Sequence, residues 1–262
     1  MLVTDLDGSL LTDDKTILER DMAAIDKFRD NGGLFTIATG RAGSNSRSIA
    51  EELRIDVPAV TYNGAAVHDF KKKCVLWQSL LPKNARQIML QFKERFPTLG
   101  VDIMCGDDIY TISSNRRSQE HFDFIKVNPI RCSLDEVRTE DWTKILLVDE
   151  PEVIDGVVKY SEALDLSSIN AVCSAPIFYE ILPLGVSKWT GLQKLIKISG
   201  LQERFIVAVG DYMNDVDMIV NADLGFAVAN APDEVKARAD FTVCDNNSGA
   251  IYEVIERVSL SL

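Results

Sequence analysis

The chain has few of the residues that build metal-thiolate or imidazole sites. It carries two histidines, His68 and His121, and five cysteines. The cysteines, Cys74, Cys105, Cys132, Cys173 and Cys244, are scattered and include no CxxC pair. That argues against a structural zinc site and against a disulfide framework, and fits reduced thiols. Positive charge is also scarce, with 28 Lys and Arg against 40 Asp and Glu and a net charge of −12. A nucleic-acid binder needs a basic face to displace counterions, so nucleic acid is an unexpected partner, as is an anionic membrane surface. No apolar run approaches membrane-spanning length, and no basic region followed by an apolar run opens the chain. The expected compartment is the cytoplasm. Repeats, low-complexity tracts and Pro/Gly-rich linkers are missing as well.

What is present is ample core material. Hydrophobic residues make up 46% of 262 positions, enough for one large domain or two smaller ones. The two ends of the chain alternate strand and helix signals. Leu2–Thr4, 34–38 (LFTIA) and 59–62 read as buried strands, with a helical apolar stripe at Leu18, Met22, Ile25 and Phe28 between the first two. From Ser187, a good helix N-cap, the alternation resumes through 205–209 (FIVAV), GFAV and FTV. Such alternation predicts βαβ units and a parallel sheet. The middle differs. Residues 65–78 and 101–112 read as hairpins, the second turning at Gly106–Asp107–Asp108. A helix at 84–95 separates them, and a strand, a helix starting at Pro151 and a further strand pair follow. The expected architecture is α/β: a Rossmann-like parallel-sheet core from residues 1–80 and 185–262, with an α+β insertion at 81–184.

In an open parallel sheet, chemistry gathers beyond the carboxyl ends of the strands. Four such places carry polar residues here: Asp5 and Asp7; Thr39, Gly40 and Arg41; Lys188; and Asp211, Asn214 and Asp215. Two acids at i and i+2 can face the same way, about 6–7 Å apart in extended chain. Four acids together repel and raise one another's pKa, a conflict that a hard divalent cation relieves. A Thr-Gly turn offers a hydroxyl and free amides to an anion, and a lysine adds a point charge. Each piece alone has a plainer reading. Asp-Gly is ordinary turn chemistry, Lys188 a solvated helix lysine, and the 211–215 acids helix-start residues. Arg41 is divided between a substrate contact and a surface ion pair. Arg116-Arg117 reads as a solvated pair, Asp13 and Asp14 as turn residues.

Taken in order, DLDGS, TIATGR, GVSK and GDYMND resemble the haloacid dehalogenase superfamily of phosphohydrolases. TYNGA, EILPLGVSK, AVANAPDEVKARAD and NNSGAI resemble its Cof-type branch, whose α/β cap is inserted between the second and third motifs. The resemblance implies roles. Asp5 would attack phosphorus and form an aspartyl-phosphate. Asp7 would protonate the leaving oxygen and later deprotonate water, so its carboxyl must hold a proton part of the time, which nearby acids favour. Mg²⁺ would be held by Asp5, the Asp7 carbonyl and Asp211, with Asp215 behind them. Thr39, the Leu6 and Gly40 amides, Lys188 and Asn214 would bind phosphoryl oxygens, and Asn63 would lie near the substrate. Ser9 stands where Thr is common and keeps the hydroxyl. Trp189 stands where Gly is common. The implied activity is Mg²⁺-dependent hydrolysis of small phosphomonoesters, sugar phosphates foremost. The cap is expected to close over the site and exclude large substrates, in a monomer or small homo-oligomer. The alternatives are a phosphomutase of the phosphomannomutase type and a non-catalytic phosphate-sensing protein.

Overall fold

The structure, a computed structural model, describes residues 1–55, 57–106, 108–125, 127–137 and 141–259. The first elements are β1 (Leu2–Thr4), α1 (Glu19–Asp30), β2 (Phe35–Ile37), α2 (Gly43–Glu52), β3 (Ala59–Thr61), β4 (Ala66–Asp69) and β5 (Cys74–Gln78). Next come α3 (Ala85–Arg95), β6 (Gly100–Cys105), β7 (Asp108–Ser113), α4 (Arg116–Ile125), β8 (Ile130–Arg131), β9 (Lys144–Val148), α5 (Pro151–Ser161), β10 (Ile169–Ala175) and β11 (Phe178–Pro183). The last are α6 (Lys188–Ser199), β12 (Val207–Gly210), α7 (Val216–Asn221), β13 (Leu224–Val228), α8 (Asp233–Lys236), β14 (Phe241–Val243) and α9 (Ala250–Ser259). By contacts the chain divides into two units. One comprises Met1–Arg41, Ser46–Trp77 and Ser187–Leu262; the other comprises Ala42–Asn45 and Gln78–Val186.

The first unit is built on a parallel five-stranded sheet in the order β14-β13-β12-β1-β2. Its strands are continuous apolar runs because both faces are covered. Side chains alternate across a strand, so neighbouring residues enter different cores. Leu2, Val207, Val209 and Phe226 pack with Ile25 of α1 and with Ile251, Val254 and Ile255 of α9. Val3 and Ala208 pack on the other side with Leu192 and Leu195 of α6 and Met218 of α7. The result is a helix–sheet–helix sandwich in which β1 and β12 are central, so the residues following them emerge side by side. A smaller sheet, β3-β4-β5, lies beyond β2, joined through an Ala38–Val60 bridge.

The second unit has a six-stranded sheet in the order β10-β11-β9-β6-β7-β8. It is antiparallel except for the β7–β8 pair. Val101, Ile103, Ile145, Leu147, Tyr179 and Ile181 face α3 and α5. The opposite face holds polar groups that are also buried: Asp102, Thr111 and the ion pair Lys144–Glu180 at 3.1 Å.

The α/β class and the strand alternation of the flanks are as expected. The 101–112 pair forms as β6 and β7, while Asp107 of its turn lies outside the described residues. The sequence reads as helical over residues 46–53, and α2 starts three residues earlier, at Gly43. Helix α4 and the two-residue β8 are elements that periodicity did not indicate.

Candidate active site

Asp5 follows β1 directly, and its amide continues the ladder by donating to the Val209 carbonyl of β12 (3.0 Å). The carboxylate is buried, and the wholly buried Lys188 donates to its Oδ1 at 2.6 Å and to Asp215 Oδ1 at 2.6 Å. Asp215 turns its other oxygen to the main chain and accepts from the Asp211 and Tyr212 amides at 3.0 and 3.1 Å. Ligand oxygens of Asp5, Asp211 and Asp215 lie within 4.8 Å of one another. Asp211 also accepts from the Ser9 hydroxyl at 3.0 Å, so the serine at this position does keep a useful donor. Gly8 makes this closeness possible. Its φ is +85°, and a Cβ there would stand 2.4 Å from Asp211 Oδ2.

Lys188 is placed by local structure. Ser187 caps α6, accepting from the Thr190 amide while the Thr190 hydroxyl accepts from the Ser187 amide. Against this cap sits the TYNGA loop. Tyr62, Asn63 and Gly64 have φ of +53°, +52° and +102°, and a Cβ on Gly64 would lie 1.9 Å from the Ser187 carbonyl oxygen. Two successive left-handed non-glycine residues are costly. They bring Asn63 beside Gly40 and present its Oδ1 to Asn214 Nδ2 at 2.9 Å. The Thr39 carbonyl accepts from the Asn63 amide at 3.0 Å. Trp189 packs at the edge of the core formed by Val3 and Leu192. Leu6 buries its side chain in the core of α1 and α9, and its carbonyl accepts from the Leu11 amide at 2.8 Å, so its amide is the group it can offer to a ligand.

Asp7 goes elsewhere. Arg41 grips it with a two-pronged contact, Nε to Oδ2 at 2.6 Å and Nη2 to Oδ1 at 2.7 Å. Lys15 adds a third contact at 2.9 Å. Partial burial would push the Asp7 carboxyl up, but Arg41 and then Lys15 outweigh it and hold the group at about 2. This corrects the expectation that neighbouring acids raise Asp7: two cations in direct contact with its carboxylate outweigh the burial that would raise it. The expectation does describe Asp5, which burial pushes up to about 7, with Asp215 and Asp7 adding repulsion against the pull of Lys188. Burial, then the neighbouring Asp5 and Asp215, also raise Asp211. Lys188 stays charged because Asp215 and Asp5 together override the burial that would deprotonate it. The two acids of the opening motif thus have separate cationic partners, Lys188 for Asp5 and Arg41 with Lys15 for Asp7.

The clustered carboxylates fit a hard divalent ion, which prefers a few carboxylate oxygens with open positions left for water and phosphate. Sequence reasoning missed the residues that hold the 8–13 loop. Asn230 Nδ2 donates to the Gly8 carbonyl at 2.8 Å. Asn246 Nδ2 donates to the Leu11 carbonyl and to Asp13 Oδ1, at 2.9 and 3.1 Å. Asn247 donates to Asp13 Oδ2 at 3.1 Å. Asp13 is therefore an anchor, not only a turn residue. Asn230 and Asn246 lie in stretches whose resemblance was visible but whose task was not. In the second unit, Arg116 and Arg117 are engaged by Glu120 and Glu150.

The parallel-sheet unit thus gathers three carboxylates and a buried lysine beyond adjacent strand ends, an arrangement suited to a metal-held phosphate. Residues 2–255 match the model of the haloacid dehalogenase-like hydrolases, and the chain belongs to that family. It is 28% identical over 259 residues to 5-amino-6-(5-phospho-D-ribitylamino)uracil phosphatase YitU of Bacillus subtilis, covering 98% of this chain and 96% of that one. It is 24% identical to pyridoxal phosphate phosphatase YbhA of Escherichia coli, covering 97% of each. Among solved structures, a haloacid dehalogenase-like hydrolase from Bacteroides thetaiotaomicron superposes with a TM-score of 0.82 at 26% identity, over 98% of both chains. A HAD subclass IIB sugar phosphatase has the same fold, with a TM-score of 0.86 at 22% identity over 98% of both chains.

Proposed function

We propose that this protein hydrolyses small phosphomonoesters, sugar phosphates foremost, through an aspartyl-phosphate on Asp5 and with Mg²⁺. The observation that carries the proposal is the buried Lys188 held 2.6 Å from both Asp5 and Asp215, with the Asp211 carboxylate in the same cluster. Full-length relatives named as phosphatases of a ribitylaminouracil phosphate and of pyridoxal phosphate support it.

Asp5, the Asp7 carbonyl and Asp211 would hold the metal, with Asp215 behind them, and its charge would offset that of the phosphoryl oxygens. The chain's own residues do the rest. Lys188, the Thr39 hydroxyl, the Leu6 and Gly40 amides and Asn214 hold the phosphoryl group in line with Asp5. Asn63 orients Asn214 through their amide contact. An Asp5 oxygen attacks phosphorus, the ester P–O bond breaks, and the departing oxygen takes a proton from Asp7, a role that requires bound substrate to loosen the Arg41 and Lys15 contacts that hold this carboxylate ionised. Water then attacks the phosphoryl group, gives its proton to Asp7, and Asp5 is released with inorganic phosphate. Asp7 ends the cycle carrying the proton that the next leaving group needs. The inserted segment 81–184 is the part we assign to choosing among leaving groups.

The test is phosphate release from a panel of sugar and nucleotide monophosphates, with and without Mg²⁺, with Asp5→Asn as the control. Release that needs both the metal and Asp5 is expected. Release unchanged in Asp5→Asn would remove the nucleophile. Transfer of the phosphoryl group to a second sugar hydroxyl in place of water would make the protein a mutase.

A further inference from the structure

The carboxylate oxygens of the Asp5, Asp211 and Asp215 cluster are not equally available to a cation. Asp215 has both engaged: Oδ1 accepts from Lys188 at 2.6 Å, and Oδ2 from the Asp211 and Tyr212 amides at 3.0 and 3.1 Å. Lys188 also takes Asp5 Oδ1 at 2.6 Å. The Ser9 hydroxyl takes Asp211 Oδ1 at 3.0 Å. Among the described residues, no hydrogen bond reaches Asp5 Oδ2 or Asp211 Oδ2. Each of these two acids therefore offers one oxygen. Using both would break a bond to Lys188 or to Ser9. The two bonds are unequal, because an ammonium holds a carboxylate more strongly than a neutral hydroxyl does. Asp211 is the place where a second oxygen could be recruited, and Ser9 is what stands in the way.

Ser9 is itself fixed. Its side chain is buried. The preceding Gly8 carbonyl accepts from Asn230 Nδ2 at 2.8 Å, and Asn230 Oδ1 accepts from the Asn246 amide at 3.2 Å. On the other side, Leu10 and Leu11 sink into the core. The main chain thus points the hydroxyl at Asp211 from a position anchored before and after it. On the other flank of the carboxylate, Gly8 leaves Oδ2 within 2.4 Å of where a Cβ would stand.

We infer that Ser9 is a positioning residue that keeps Asp211 a one-oxygen ligand and thereby sets the site's preference for Mg²⁺ over Ca²⁺. The inference rests on the proposed metal role of Asp5, the Asp7 carbonyl and Asp211. One oxygen from each leaves half of an octahedral shell to water and phosphate, which suits Mg²⁺. Ca²⁺ takes six to eight oxygens and readily binds a carboxylate through both. A hydroxyl on Oδ1 denies it that second oxygen while costing Mg²⁺ nothing.

The measurement is calorimetric titration with magnesium chloride and, separately, calcium chloride, on the wild-type chain, Ser9→Ala, Ser9→Thr and Asn230→Ala. For Ser9→Ala, the ratio of Ca²⁺ to Mg²⁺ dissociation constants should fall about tenfold, the low end of what partners of metal ligands contribute. Mg²⁺ binding weakens as the carboxylate loses its orientation, and Ca²⁺ binding holds or tightens. Ser9→Thr keeps the hydroxyl and should keep the wild-type ratio. Asn230→Ala loosens the Gly8–Ser9 main chain from the surface and should shift the ratio in the same direction by less. An unchanged ratio in Ser9→Ala, whether both affinities fall together or neither moves, would overturn the inference, as would a shift towards Mg²⁺. If Ser9→Ala does not fold, Asn230→Ala decides the question by the same ratio. A wild-type chain that binds neither ion would remove the metal reading and this inference with it. A wild-type chain that binds Mg²⁺ with the expected ratios but releases no phosphate from any ester would remove the proposed activity and leave the role of Ser9 standing.

Discussion

The Lys188 ammonium lies 2.6 Å from an Asp5 oxygen, and no part of the lysine side chain reaches solvent. Its second contact, Asp215 at the same distance, is equally enclosed. Breaking a buried ion group by deleting one member leaves the others unpaired, at a cost of about 3–5 kcal/mol. Lys188→Met should therefore lower the melting temperature of the metal-free protein by roughly 10 °C, given about 2–4 °C per kcal/mol at this size. It should also abolish turnover. A thermal melt without metal separates the two effects, and an unchanged melting temperature would show that Lys188 is not the counterion of Asp5.

The close approach of Gly8 to Asp211 gives a second expectation. A Cβ at Gly8 would stand 2.4 Å from Asp211 Oδ2, and the backbone there has φ +85°. Gly8→Ala should displace the Asp211 carboxylate and weaken Mg²⁺ binding at least tenfold by calorimetric titration. Gly106 also has positive φ, but a Cβ there meets nothing within 4 Å. Gly106→Ala should cost only backbone strain, about 1 kcal/mol, and leave metal affinity unchanged.

Asn246 bridges distant parts of the chain, from the segment before α9 to the Leu11 carbonyl and the Asp13 side chain. Asn246→Ala should destabilise the first unit by about 1–3 kcal/mol, because it strands a buried carbonyl. Hydrogen exchange should accelerate at residues 8–13 while the amides of β12 keep their protection. Uniform acceleration across the unit would contradict the anchoring role.

Asp102 predicts a pH dependence in the second unit. It is completely buried, accepts from the Thr111 hydroxyl at 2.7 Å, and its Oδ2 has no hydrogen-bond partner. Burial pushes its carboxyl up to about 7 from 3.8, against the pull of Thr111. The folded state therefore holds this proton more tightly than the unfolded chain. Its favourable contribution is complete below about pH 4 and is lost as pH rises through 7. At most about 4 kcal/mol is involved. Asp102→Asn should be more stable than wild type in urea unfolding at pH 8 and close to it at pH 4. The reverse order would refute this assignment.

Motif order, turn glycines and caps were legible in the sequence because each is a local demand of the backbone. The apolar runs at 2–4 and 205–209 had to be buried strands, Ser187 had to cap a helix, and acids placed just past strand ends had to meet at one edge of a parallel sheet. Helix α4 was not legible. Its first half, RRSQE, is polar, and its only wholly buried apolar side chain is Phe122. Strand β8 is two exposed residues paired at the sheet edge, too short to show an alternation.

The partners of each charge were decided only in three dimensions. Nothing in the spacing of Asp5 and Asp7 says that one turns to a buried lysine 183 positions later and the other to an arginine 34 positions later. Charge sign is written in the chain, but Coulomb energy depends on distance and on water, and both are set by packing. Motif order along the chain set which groups gather beyond the carboxyl ends of the strands. The tertiary structure alone decided that Asp5 is pushed towards neutrality while Asp7, two residues on, is held ionised. Burial beside Lys188 and the acids acts on one, and the Arg41 fork acts on the other.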